Sequence, residues 1–236
     1  MALLDAVIKA GVFPADGSQS EKKRFAETLS KFLAEEVADG LRQVGFPNVK
    51  PLRGAPGEKA FQGGLGTKKV DVSYSDDQHG LMLAVSIKSI VSPPFGKNLK
   101  NRFGDLCTEA ITLHMRFPYS VIGMLFAFPA AADIDTTKVR RISTFRRAGK
   151  LFSTISGRRN YTDPGEKFET ITMMLFHPIT SGEPEPALKL FEPPSMREIR
   201  EEDYFTSLRD VFNERNPHVF IGEEEDDDFG EFGEET

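Results

Sequence analysis

Apolar positions along the chain change period several times, and each change marks an element. Over residues 21–44, Phe25, Leu29, Phe32, Leu33 and Val37 recur at the three- and four-residue spacing of one helix face. Ser20 suits the N-cap, and Gly45 followed by Pro47 suits the stop. Residues 47–67 are rich in Gly and Pro and read as a loop. Period two then takes over. Val70, Val72 and Tyr74 alternate with Asp71 and Ser73, and Leu83, Val85 and Ile87 alternate with Ala84, Ser86 and Lys88. The polar run SDDQHG between them predicts an antiparallel hairpin. After Pro93 and Pro94 a helical period returns over 99–116, with Phe103, Leu106, Ala110, Leu113 and Phe117 on one face. Residues 120–128 (SVIGMLFAF) are continuously apolar, the pattern of a buried strand. A further strand follows at 169–176 and a short acidic helix near 196–215. There is no internal repeat. The order predicts an α/β (α+β) fold, a central mixed sheet with flanking helices.

Composition adds little until charge is mapped. The chain has 236 residues, 39% hydrophobic and 28% charged, with 20 Phe and no Trp. That is ordinary for a globular protein and suits a single domain over residues 1–222, with Phe dominating its core. No apolar run approaches the roughly 20 residues of a membrane helix, so no membrane contact is expected. The opening residues lack a basic region and a long apolar stretch, and the single Cys107 rules out a disulfide framework. A cytoplasmic protein is the expectation. The net charge of −6 hides a division: residues 223–236 hold nine acids and no base, and without them 30 bases face 27 acids. The body is therefore mildly basic, and the tail is expected to be disordered. Either the tail covers the basic segment 138–159 transiently, through weak apolar anchors at Phe220, Phe229 and Phe232, or it solubilises the chain or binds a partner.

Candidate chemistry begins on the hairpin. Alternation sets Ser86 and Lys88 on the face opposite Leu83, Val85 and Ile87, and turns Asp71 away from Val70 and Val72. An Asp and a Lys from adjacent strands then meet. Such a carboxylate can hold a hard cation, and such a lysine can orient or deprotonate a water and balance charge on a phosphate. Taken from spacing alone, a structural Asp–Lys pair is the better reading. Two helical acids bear on it. Glu36 falls within the apolar stripe of the first helix, where a carboxylate is costly unless paired or metal-bound, whereas Glu35 faces elsewhere and reads as solvated. A helix-edge salt bridge accounts for Glu36 equally well. Arg102, Asp105 and Glu109 share one flank of the second helix, either as an ion-pair ladder or as part of a site.

With these pieces in place, residues 21–128 resemble the PD-(D/E)XK nuclease superfamily. The matching residues are Glu36 on the helix, Asp71 in KKVDVSY and Lys88 in LAVSIKSI. The resemblance implies a restriction-endonuclease-like core, an active site at the hairpin, and magnesium, with manganese as a substitute. Two departures stand out: no Pro precedes Asp71, and Ser86 occupies the position of the second acid. In one subgroup of restriction endonucleases Ser or Thr stands there, and a Glu from the following helix takes over. Glu109 fits that role better than Asp105, because Leu106 and Leu113 flank it. The resemblance thus implies Asp71, Lys88, Glu109 and Glu36 as catalytic residues, with Asp71, Glu109 and Glu36 as metal ligands. It also implies an endonuclease acting on double-stranded DNA in restriction or phage defence, as a homodimer or with a defence-complex partner. The alternative is a catalytically inactive subunit that keeps the fold for DNA binding or assembly, which the Ser86 departure favours.

A basic segment supports a nucleic-acid partner. Lys138, Arg140, Arg141, Arg146, Arg147, Lys150, Arg158 and Arg159 fall within 22 residues that contain no acid, and phosphate contacts of this kind dominate DNA affinity. A solvated basic helix is the plain alternative. Phe145, Phe152 and Ile155 within it read as core. The glycine-rich stretch 63–68 lacks the order of a phosphate-binding loop and reads as a mobile loop leading to Asp71. His79, His114, His177 and His218 show no zinc spacing. His114 reads as a core histidine, and Cys107 as a buried small residue.

Overall fold

The computed structural model describes residues 2–55, 58–180, 186–219 and 221–222. The acidic tail, with Phe220, Phe229 and Phe232, lies outside the described residues. Helix α1 (Ala2–Ala10) precedes the long α2 (Gln19–Gln43). The cap of α2 is Ser18 rather than Ser20: its hydroxyl accepts from the Glu21 N–H, and Glu21 accepts from the Ser18 N–H. Gly45 ends the helix at φ +105°, a conformation that favours glycine.

The expected loop before Asp71 contains structure. Strands β1 (Lys59–Gly63) and β2 (Gly66–Val70) form a separate two-stranded antiparallel ribbon, and the glycine-rich stretch is its turn. The ribbon lies on the helix carrying Glu109. The Gly64 N–H donates to Thr112 O at 2.8 Å, and a Cβ on Gly63 would stand 2.6 Å from that oxygen. Only glycine permits this approach.

The main sheet has six strands in the order β3 (Val72–Asp76), β4 (Gly80–Ser89), β5 (Val121–Pro129), β6 (Thr170–His177), β7 (Ala187–Glu192) and β8 (Arg197–Ile199). Strands β3 and β4 form the expected hairpin, β4, β5 and β6 run parallel, and β7 and β8 return antiparallel. The sheet is therefore mixed, as the element order implies. Helix α3 (Phe95–His114) crosses between β4 and β5, α4 (Thr144–Phe152) lies between β5 and β6, and α5 (Glu201–Arg215) closes the fold.

Both faces of the sheet are covered. Val121, Leu125 and Ala127 of β5 join α1, α2 and α5 in one core, while Ile122, Met124, Phe126 and Phe128 join α3 and α4 in the other. Double burial explains why 120–128 is apolar throughout rather than alternating. The same logic decides β4. Leu83, Val85 and Ile87 face the first core, which leaves Ser86 and Lys88 on the α3 side. Phe145, Phe152 and Ile155 are buried in the second core. Among the described residues no helix is long and apolar enough to cross a membrane.

Candidate functional site

Asp71 occupies the break between β2 and β3, not the interior of one strand. Val70 belongs to the α3-side core and Val72 to the opposite one, so the chain changes sides of the sheet at Asp71. Free of the ladder, the Asp71 carboxylate accepts from the Ile87 N–H at 2.8 Å and from Lys88 Nζ at 3.4 Å. Glu109 approaches the same ammonium from α3, with Oε2 at 3.2 Å from Lys88 Nζ and 3.1 Å from Lys68 Nζ. Asp71, Lys88 and Glu109 thus converge, and β2 adds Lys68. Asp105 is exposed and pairs with Arg102 at 3.3 Å, so Glu109 is the α3 acid turned toward the sheet.

The charges in this cluster are unequal in their surroundings. Burial pushes the Glu109 carboxyl up, but the ammonium groups of Lys88 and Lys68 outweigh it and hold it below the usual carboxylate range. The Ser86 hydroxyl beside it adds a smaller contribution, although no well-formed hydrogen bond joins the two. Burial dominates at Asp71 and, with the charge of Glu109, keeps its carboxyl above the usual range against the pull of Lys88 and the Ile87 N–H. Burial also opposes the charge on Lys88, yet Asp71 and Glu109 together hold that ammonium more firmly protonated than usual. Two atoms of the cluster are buried without a hydrogen-bond partner, Glu109 Oε1 and Ser86 Oγ.

The cluster opens on a cleft of about 850 Å³ between α2, β2, β4 and α3. Of the adjacent acids Glu35 and Glu36, only Glu35 lines this cleft, with Glu27 of the same helix and Asp105 of α3. Helix α2 carries two inward stripes. Phe25, Leu29, Leu33 and Val37 pack into the core, while Ala26, Ser30, Ala34 and Glu35 face the cleft. Glu36 turns to α1, where Lys9 Nζ lies 2.5 Å from one oxygen and Arg53 lies 2.8 Å from the other. The salt-bridge reading therefore holds for Glu36, and it does not line the cleft. Glu35, expected to be solvated, is buried and forms no ion pair among the described residues. A small-residue stripe at Ala26, Ser30 and Ala34, parallel to the apolar one, is the sequence signal that marks a second covered face.

Among the described residues no three His, Cys, Asp or Glu side chains are grouped to hold a metal ion. Magnesium commonly takes one or two carboxylates, with waters and phosphate oxygens completing the shell. The carboxylates of Asp71 and Glu109, which share Lys88 and leave Glu109 Oε1 unpartnered, are a pair that fits that habit.

The basic segment divides. Lys138, Arg141, Arg146, Arg147, Lys150 and Arg159 are exposed. Arg140 is tied to Asp135 at 3.0 Å and to the Thr144 hydroxyl at 3.1 Å. Arg158 is buried, bonded to Glu169 at 2.7 Å and to the carbonyls of Pro118 and Tyr161, which removes it from the DNA-contacting set. Its partner Glu169 lies beyond the basic segment, so the pairing is invisible in local sequence. His114 is the expected core histidine, with Nδ1 2.9 Å from Gly165 O and Nε2 3.3 Å from Glu169. Cys107 is only partly buried. Comparison of the chain with models of protein families, with curated proteins and with solved structures finds no match.

Proposed function

We propose that the chain is a magnesium-dependent endonuclease that hydrolyses phosphodiester bonds of double-stranded DNA, with a restriction-endonuclease-like core and a role in restriction or phage defence. The observation that carries this reading is the convergence of Asp71, Lys88 and Glu109 on one cleft, with a buried glutamate oxygen left unpaired beside it.

Asp71 and Glu109 would hold the cation, and Glu35, across the cleft, would hold one of its waters. When bound, the cation would polarise the scissile phosphate and acidify a coordinated water. Lys88 then acts as a fixed positive charge. Its neighbours hold it protonated, which suits donating a hydrogen bond to the phosphate and balancing the charge that grows there, and does not suit proton abstraction. The Ile87 N–H fixes the Asp71 carboxylate, leaving its other oxygen for the cleft. The exposed bases of 138–150 would hold phosphates of the duplex.

A second reading is an inactive nuclease-fold subunit that binds DNA or assembles with partners. The specific observation in its favour is that two lysines already neutralise Glu109. Incubating purified protein with supercoiled plasmid separates the two. The nuclease reading expects nicked and linear products with magnesium or manganese, none with chelator, and none from Asp71→Asn. Plasmid left intact at high protein and metal concentration would favour the inactive subunit.

A further inference from the structure

A braced loop with an apolar tip leaves the sheet next to Lys88. Strand β5 runs parallel to β4 with Phe126 opposite Lys88 and Ala127 opposite Ser89, so the chain leaving β5 at Pro129 emerges at the same end of the sheet. Residues 133–143 then lead into α4, whose Arg147 reaches Gly96 in the first turn of α3.

Two acids fix this loop from within. Asp135 accepts from the Thr144 N–H at 2.6 Å and pairs with Arg140, while Asp133 accepts from the Ser143 hydroxyl at 2.7 Å and pairs with Arg146. The bend itself is closed from both sides: the Thr137 N–H donates to Arg140 O at 2.7 Å, and the Arg140 N–H donates to the Thr137 hydroxyl at 2.8 Å. What this frame holds outward is apolar, with Val139 97% and Ile134 79% exposed. Next to Val139, Lys138 and Arg141 are exposed and pair with no acid among the described residues, since Asp133 and Asp135 are engaged by Arg146 and Arg140.

We propose that this loop is a DNA-groove contact, in which Val139 and Ile134 enter a groove of the duplex and pack on sugars and base edges while Lys138 and Arg141 hold the flanking phosphates. The proposal rests on the nuclease reading for its partner. Unpaired cations around an apolar tip call for a polyanion with an apolar recess, and apolar side chains inserted beside phosphate contacts are a known way to grip a duplex. A loop already braced gives up little conformational freedom on binding. An anionic membrane has similar chemistry, but the origin of the loop at the end of the sheet that carries Lys88 favours the nucleic acid whose backbone the proposed site would cut.

The test is fluorescence anisotropy of the full chain with a short labelled duplex, in chelator and across a salt series. Val139→Ser should weaken binding about fivefold to tenfold, as expected for losing part of a valine's burial, with no change in salt dependence. The double variant Lys138→Ala/Arg141→Ala should lower the slope of log affinity against log salt by about 1.8, at roughly 0.9 per phosphate lost. A control, Lys189→Ala/Arg197→Ala on the β7–β8 edge, should bind as the parent does. Equal binding by parent and loop variants, or no duplex binding by the parent, would overturn the proposal. So would phosphatidylserine vesicles that bind the parent more tightly than duplex and lose it with Val139→Ser. Plasmid nicking keeps the two readings apart. Loop-dependent duplex binding by a parent that nicks nothing removes the nuclease alone, and nicking with duplex affinity unchanged by the loop variants removes the groove contact alone.

Discussion

Glu109 and Glu169 are both buried glutamates that meet two positive side chains, and they differ in what is left over. Glu169 stands just before β6. Its Oε1 receives Arg158 at 2.7 Å and Arg215 at 3.1 Å, and its Oε2 receives the Ile122 N–H at 2.8 Å, with His114 Nε2 at 3.3 Å. Both carboxylate oxygens are engaged and the side chain is fully covered, and what is left over there is nitrogen, Arg158 Nε and His114 Nε2, not a carboxylate oxygen. The cluster ties the end of α3, the start of β5 and the end of α5 together. Glu109 is as deeply buried, yet both its lysines crowd onto Oε2 and leave Oε1 with nothing, beside a cleft shared with Asp71 and Glu35. A closed cluster of buried charge holds a fold together. An open one, carrying a desolvated acceptor without a partner, is expensive unless something binds there.

Substitutions at the two clusters should therefore fail differently. The largest effect is expected at the open one: Asp71→Asn and Lys88→Ala should each cut plasmid nicking per folded molecule by about a hundredfold to a thousandfold, with little change in melting temperature for Asp71→Asn and a lower one for Lys88→Ala, which leaves two buried carboxylates without their shared cation. Nicking within tenfold of the parent by either variant would remove them from the chemistry.

At the closed cluster, Glu169→Gln strands Arg158 as an uncompensated buried charge. It should cost about 3–5 kcal/mol in chemical denaturation. Glu109→Gln should cost much less, because Lys68 is near solvent and can leave. Equal destabilisation by the two would erase the contrast.

A smaller effect separates adjacent acids of α2. Glu35→Gln should slow nicking about tenfold or more while leaving stability unchanged, and Glu36→Gln should lower stability through Lys9 and Arg53 while sparing the rate per folded molecule. The opposite pattern would return the helix acid to Glu36.

The pH dependences should also diverge. In the metal-free protein Asp71 is held above the usual range and must lose its proton to take a cation, so manganese affinity, measured by titration across pH, should fall on acidification from a pH above the ordinary aspartate value of about 3.9. Glu169 is depressed: burial opposes its charge, but the His114 side chain beside it and hydrogen bonds from the Ile122 N–H and Arg158 outweigh it. Its stabilisation is complete above the ordinary glutamate value of about 4.3 and is lost as pH falls through the depressed one. Glu169→Gln should flatten the acid side of the stability curve, measured by denaturation across pH.

Local periodicity carried much of the fold. The α2 stripe, the β3–β4 hairpin, α3 and the apolar run of β5 were all legible, because each buries a face whose period is set by its own backbone. The β1–β2 ribbon was not, since Lys59–Val70 is short, glycine-rich and held by α3 rather than by its own pattern. Helix α1 and strands β7 and β8 were not legible either, and β8 occupies Arg197–Ile199, the start of the stretch whose acidic pattern reads as helix from 196. At the site, Lys88 follows from strand alternation and Glu109 from its helical flank, whereas Asp71 reaches Lys88 from a break where Val70 and Val72 face opposite cores, which alternation does not foresee. Glu35 does not follow either, because a stripe of Ala and Ser looks solvent-facing until a cleft is known to cover it. Arg158 reads as one base among many, because its partner Glu169 lies eleven residues on.

The central claim is that the spare oxygen of Glu109 and its neighbours form a cation site. Titrating manganese into the parent and following free metal by electron paramagnetic resonance tests it without relying on cleavage. The account predicts saturable binding that Glu109→Gln and Asp71→Asn weaken at least tenfold and that Glu36→Gln leaves unchanged. Binding that is equal in the parent and Glu109→Gln, or absent from the parent, would contradict it.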